Sequence, residues 1–323
     1  MGWTRILGGI DPLVRLLLIT IFLATIVPVT GDGRAIARIV SDGAIFLLFL
    51  LNGLRLPRGD VLAGLRNARF LLPLVAWCFL AMGAAGWMLW QIGSAVLPAQ
   101  VALGLLFLGI LPSTVQSATA YSSLAGGNVA ASVVAAAVLN VLGVFITAPL
   151  LALLAGTEAV GIDIGGLERI ATILLLPFVI GQLAQGWAGG WVRSNRVLVS
   201  WADRTAIAIA VYVAFSGAVE QGLWTRVDAL AWAALLGLVA VFLAIGFGGA
   251  WLCGGMLRLD RGDRIAFLFA GAQKSIALGA PLASVLFPPA VAGLLLLPVL
   301  VYHLLQLMLS APLANRLNPQ PGP

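Results

Sequence analysis

Apolar residues run along this chain in blocks of about twenty, divided by short polar tracts. A block of about 20 mostly apolar residues is long enough to cross a bilayer as a helix. Ten blocks are read: Leu13–Thr30, Ile36–Leu54, Phe70–Trp90, Val101–Leu124, Asn128–Ala155, Ile170–Gly189, Thr205–Gln221, Ala229–Met256, Ile265–Leu286 and Ala290–Leu313. The fourth and ninth are interrupted by polar and small residues. The run Pro112–Asn128 is polar enough for a surface loop, yet it lies between two strongly apolar stretches. Barrel strands alternate apolar and polar residues over about ten positions, a pattern these blocks lack. The predicted fold class is an all-α polytopic membrane protein of ten transmembrane helices.

Composition sharpens this picture. Of 323 residues, 61% are hydrophobic and 9% charged, too few charges to cover a water-facing surface of this size. Disorder needs the opposite balance. The net charge of +6 does not point to nucleic acid, because the arginines sit in short tracts between the blocks, as topology signals do. With ten spans, thirteen of them share a side with both termini: Arg5, Arg15, Arg55, Arg58, Arg66, Arg69, Arg193, Arg196, Arg204, Arg258, Arg261, Arg264 and Arg316. Four lie opposite: Arg34, Arg38, Arg169 and Arg226. That bias predicts cytoplasmic termini. Trp87, Trp90, Trp187, Trp191, Trp224 and Trp251 fall near span ends, as an interfacial belt would. Cys78 and Cys253 lie within apolar blocks and read as packing residues rather than a disulfide. Met1–Arg15 contains Asp11 and no apolar core of its own, so no cleavable signal is expected.

The two halves share an outline. Leu13 and Ile170 open the first and sixth blocks, 157 residues apart, and Gln116 and Gln273 in the broken blocks have the same separation. Five spans per half means that the second half enters the membrane inverted. The expected organisation is residues 1–162 as a first repeat and 163–323 as a second. Inverted repeats with paired broken helices place a transporter's site near the midplane.

The remaining basic residue, Lys274, is the single lysine and lies mid-block in the ninth span. A lysine there costs roughly 2.5–3.5 kcal/mol on insertion scales, so it needs a polar cavity or a partner. Gly271, Gly279 and Pro281 are expected to open this helix and leave backbone carbonyls free for ions. The second polar cluster runs from Pro112 to Ser123 and includes Gln116, Ser117 and Thr119, which offer oxygen ligands and donors without formal charge. Ser132 and Asn140 follow two turns apart on the fifth span, and Asn140 is either a ligand or interhelical glue. Ser275 follows Lys274. His303, the single histidine, shares a face with Gln306 and is either a core residue or a titrating group. Asp42 and Glu220 sit near span ends, which suits interfacial roles. One histidine cannot build the usual zinc site, no phosphate-cradling Gly-x-x-x-x-Gly-Lys-[Ser/Thr] occurs, and no nucleophile–base–acid set is visible. Enzymatic and ATP-driven chemistry are therefore not expected.

Four segments then resemble the bile acid:sodium symporter family, and its bacterial member-seven-like branch in particular. They are Leu-Pro-Ser-Thr-Val-Gln-Ser (111–117), Gly-Asn-Val-Ala-Ala-Ser (127–132), Leu-Leu-Pro-Phe-Val-Ile-Gly-Gln (175–182) and Gln-Lys-Ser-Ile-Ala-Leu-Gly-Ala-Pro-Leu-Ala (273–283). The resemblance implies a panel of spans 1, 2, 6 and 7 and a core of spans 3–5 and 8–10, with the broken fourth and ninth spans crossing in the core. It implies secondary transport of a small organic anion by alternating access in a bacterial inner membrane, with no ATP and no resident cofactor. Sodium is the family's coupling ion. Ser117, Ser132 and Gln273 match the family's sodium ligands. The fourth-span serine–asparagine pair falls on Ser117-Ala118 or Ala118-Thr119, so its asparagine is missing; a threonine is replaced by Ala136, the bridging glutamate by Phe269, and the asparagine after the glutamine by Lys274. The last two changes together raise the local charge by two units. Two roles for Lys274 follow: its ammonium takes the electrostatic place of sodium, or it binds an anionic substrate and carries a proton. The rival reading is a non-transporting membrane regulator of ion homeostasis.

Overall fold

The computed structural model describes residues 11–55, 67–156 and 168–318. Arg5, Arg58, Arg66, the expected signal-free segment before Asp11 and the expected repeat boundary at 162/163 lie outside them. The described residues are helical, with no strand. In chain order the helices are α1 (Pro12–Ile26), α2 (Gly33–Arg55), α3 (Ala68–Gly93), α4 (Ala99–Ile110), α5 (Gln116–Leu124) and α6 (Val129–Ala155). There follow α7 (Glu168–Ser194), α8 (Arg196–Glu220), a single helical turn at Leu223–Arg226, α9 (Ala229–Met256), α10 (Arg261–Ala272), α11 (Ile276–Leu286) and α12 (Pro289–Leu317). Counting α10 and α11 together, eight are long and apolar enough to cross a membrane, and α1 and α4 are shorter apolar helices.

Polar residues at the block edges start these helices. The Asp11 carboxylate accepts from the Leu13 amide at 2.7 Å, Asn128 from Ala131 at 3.0 Å, Asp228 from Ala231 at 2.8 Å and Asp260 from Asp263 at 2.9 Å. Each cap satisfies an amide that the first turn otherwise leaves without a partner.

Several span ends shift by a few residues, and two differences from the sequence expectation have a clear physical reason. The seventh span begins at Arg196, nine residues before Thr205, because its charges are accommodated on the helix. Asp203 pairs with Arg55, and the Arg204 guanidinium lies 5.5 Å from the Trp201 ring centre. The ninth span breaks at Gln273–Ser275, not at the glycines and proline expected to open it. Gly271 lies inside α10, and Gly279 and Pro281 inside α11.

Helices α1, α2, α7 and α8 pack on one another, and α3–α6 pack with α9–α12. Helix α8 forms a seam against α11 and α12. Close crossings depend on glycine. A Cβ on Gly53 would lie 2.3 Å from the Phe178 carbonyl, and one on Gly181 2.3 Å from the Leu50 carbonyl, so α2 and α7 meet backbone to backbone. Helix α4 is buried from Val101 to Ile110 and α10 from Ile265 to Ala272, which explains why neither shows a polar face.

Candidate functional site

The unwound stretches Leu111–Val115 and Gln273–Ser275 cross at the centre of the buried group. The Ser275 amide donates to the Pro112 carbonyl at 2.9 Å, tying one break to the other. The Thr114 hydroxyl donates to Gln273 Oε1 at 2.7 Å, the Ser117 hydroxyl donates to the same oxygen, and Gln273 Nε2 donates to Ser310 Oγ at 3.2 Å.

Breaking a helix orphans backbone groups, and each must find a partner in a medium without water. Here side chains supply them. Asn140 Nδ2 donates to the Ser113 carbonyl at 2.9 Å, Thr147 to Ile110 at 3.2 Å, and Tyr302 to Ala272 at 2.6 Å. The Gln306 amide grips Lys274 from both sides: its Oε1 accepts the Lys274 N–H at 2.8 Å and its Nε2 donates to the Lys274 carbonyl at 3.0 Å. This bidentate contact explains why the helix parts at Lys274 without a glycine or proline there.

The Lys274 ammonium is fully buried and donates to three backbone carbonyls, Cys78 at 3.0 Å, Gly109 at 2.7 Å and Leu111 at 2.8 Å. An ammonium has three hydrogens, so none is left for an anionic substrate. Two of the three carbonyls belong to the C-terminal end of α4, the negative pole of that helix. The ninth-span carbonyls that the sequence analysis expects to be open to ions are instead taken by side chains, Ala272 by Tyr302 and Lys274 by Gln306, while the ammonium holds carbonyls of α3 and α4.

Two adjoining cavities lie on the arginine-rich end of the crossing. The first, of about 140 Å³, is lined by Gln116, Ser117, Asn140, Ser275 and His303 among others. The second, of about 480 Å³, shares Asn52, Arg55, Gln116 and Asn140 with it. The N-termini of α5 and α11 both open into the first cavity. Among the described residues, the first-turn N–H groups of Gln116, Ser117 and Ala118 have no hydrogen-bond partner, nor do those of Ile276 and Ala277. Such a helix end is an anion-binding site. On the far wall, Gln306 Nε2 meets His303 Nδ1 at 2.8 Å. Because the amide nitrogen can only donate, Nδ1 accepts and the imidazole hydrogen sits on Nε2.

The structure therefore divides the sequence-predicted residues into three groups. Gln116, Ser117, Asn140, Ser275 and His303 surround one cavity, with Asn140 bonded to backbone as helix glue. Gln273 and Lys274 lie behind it and line neither cavity. The Thr119 and Ser132 hydroxyls are buried apart from the cavities, without a hydrogen-bond partner. Near them Phe269, which stands where the resemblance places a glutamate, is fully buried with its ring 5.9 Å from that of Tyr121. Asp42 pairs with Arg169 at 2.5 Å and Glu220 pairs with Arg34, both as interhelical ion pairs. Sequence reasoning overlooked Asn52, Arg55, Asp203 and Arg204, which line the first cavity from α2 and α8. Asp203 carried a usable signal, a carboxylate one turn from an expected span.

Comparison with known proteins adds the lineage. Residues 11–319 match the model of the SBF-like CPA transporter family. An uncharacterized protein of Pseudomonas aeruginosa is 38% identical over 304 residues, covering 93% of this chain and 90% of that one. A protein of Escherichia coli named "Putative symporter YfeH" is 36% identical over 317 residues, covering 96% of this chain and 94% of the relative.

Proposed function

The chain belongs to the SBF-like CPA transporter family, and we propose that it is a secondary transporter of a small organic anion whose lysine stands permanently where the resemblance to bile acid:sodium symporters implies a sodium ligand. In this reading ten spans form two inverted repeats. The α1, α2, α7, α8 group is the panel, and the remaining helices are the core that moves against it. The packing groups and the paired broken helices support that arrangement.

One observation carries the substrate class: two helix N-termini with unpartnered N–H groups face one cavity. Their partial positive charges favour a carboxylate or sulfonate. The His303 Nε2–H and the Asn52 amide give the anion further donors around the same space, whose wall also carries the Asp11 and Asp203 carboxylates, the latter paired with Arg55. Helix polarity is thereby sorted: the negative end of α4 holds the ammonium, and the positive ends of α5 and α11 are left for the substrate.

The opposite end of the seam is shut. A Cβ on Gly217 would lie 2.6 Å from Pro289, and one on Gly293 2.6 Å from the Ala214 carbonyl. Arg169 donates to the Val285 carbonyl at 3.3 Å and Ser284 to Ala210 at 3.4 Å. A cavity open at the arginine-rich end and closed at the other is one end-state of alternating access. Positive charge assigns the open end to the cytoplasm.

Lys274, held by three carbonyls, supports transport without sodium, as do the missing carboxylate at Phe269 and the missing ligands at Ala118 and Ala136. Counterflow of radiolabelled carboxylates and sulfonates in proteoliposomes tests the proposal. Saturable exchange without sodium supports it. Absence of exchange for every anion tried leaves the regulator reading in its place.

A further inference from the structure

We infer that the cleft between α6 and the α2–α7–α8 group binds a membrane phospholipid with an anionic headgroup. This is the larger cavity, about 480 Å³. Val133, Ala137, Val141 and Val144 line it along α6 at helical spacing, opposite Phe178 and Val192, with Asn140 beside them and Asn52, Gln116 and Ser200 where it joins the first cavity. At its mouth stand three guanidinium groups, Arg55, Arg193 and Arg196, and no carboxylate lines it. Arg55 is held by Asp203, whereas Arg193 and Arg196 are exposed and without an ion pair among the described residues.

Depth identifies the occupant. From Val133 to Val144 the lining spans twelve residues, or about 16 Å of helix. One leaflet of a bilayer is about 15 Å of hydrocarbon, half of the full core. Next to Val144, Phe145 lies edge-on to Phe178 with ring centres 6.2 Å apart. The outer end lies at headgroup level, where Trp191 and Trp201 are both 53% exposed. Charge at the mouth and an apolar groove of leaflet depth suit a phosphodiester headgroup with an acyl chain below it. A compact soluble anion would leave the groove unfilled. A lipid seated there wedges the two helix groups apart and holds the cavity open at this end. The inference does not depend on which anion is transported, and a lipid effect on stability and a counterflow signal fail separately.

The experiment is thermal unfolding in uncharged detergent with phosphatidylglycerol, phosphatidylcholine or water-soluble glycerophosphoglycerol added. Phosphatidylglycerol is expected to raise the melting temperature by several degrees, and the other two to leave it unchanged. Arg193→Ala with Arg196→Ala, and separately Ala137→Trp, which fills the groove and keeps the arginines, should each abolish the shift. Arg258→Ala with Arg316→Ala removes the same charge elsewhere on this end and should retain it. A shift that survives in Arg193→Ala/Arg196→Ala, or one produced by the soluble headgroup alone, overturns the inference.

Discussion

Replacing Lys274 with alanine removes the ammonium and leaves the Cys78, Gly109 and Leu111 carbonyls facing a space that water does not readily reach. An unsatisfied buried acceptor costs about 1–3 kcal/mol. Gly109 and Leu111, at the end of α4, are orphaned in this way and amount to at least about 2 kcal/mol even at the lower bound, whereas the Cys78 carbonyl lies inside α3 and keeps its helical donor. Losing the packed side chain adds a cavity term, and relief of a desolvated charge offsets part of the sum. A net loss of roughly 3–5 kcal/mol is expected, which lowers the melting temperature by several degrees in a chain of this size. The variant also acquires a vacant cluster of carbonyl oxygens suited to a small monovalent cation. Thermal unfolding in sodium chloride and in choline chloride at equal ionic strength measures both effects. Wild type should melt at the same temperature in the two salts, and Lys274→Ala should melt lower and be partly restored by sodium. A variant as stable as wild type, or a sodium-dependent wild type, would refute the assignment of the lysine as a built-in cation.

Three further outcomes follow from the same geometry. Gln306→Leu strips Lys274 of both backbone partners and frees His303 Nδ1, so it should cost about 2–4 kcal/mol in thermal unfolding and reduce anion exchange. Gly181→Ala places a methyl 2.3 Å from the Leu50 carbonyl, so the α2–α7 crossing must shift; a loss of about 1–3 kcal/mol is expected, read as a lower melting temperature. Asp203→Asn releases Arg55 toward the first cavity; the pair is partly exposed and its loss should cost under about 1 kcal/mol, while the KM for an anionic substrate falls in exchange assays.

Much of the fold was legible because twenty-residue apolar blocks have few alternatives in a chain this poor in charge. The eighth block matches α9, Ala229–Met256, at both ends. The start of α8 was hidden because Asp203 and Arg204 read as loop residues until their partners Arg55 and Trp201 are seen. Lys274 stood out as a charge in an apolar span, but its partners are main-chain carbonyls on α3 and at the end of α4, and a carbonyl leaves no mark in a sequence. Gln306 was noticed only as a neighbour of His303, since an amide that replaces helical hydrogen bonds looks like any other buried glutamine. The polar run after Pro112 was legible as a site, but the division between cavity-facing Gln116 and Ser117 and enclosed Thr119 depends on how α5 is rotated.

Counterflow in sodium-free proteoliposomes tests the central claim most directly. Vesicles loaded with an unlabelled organic anion should accumulate the labelled anion to a saturable level, equally in choline and sodium buffers. Uptake that appears only with sodium would contradict the lysine's role as the resident cation.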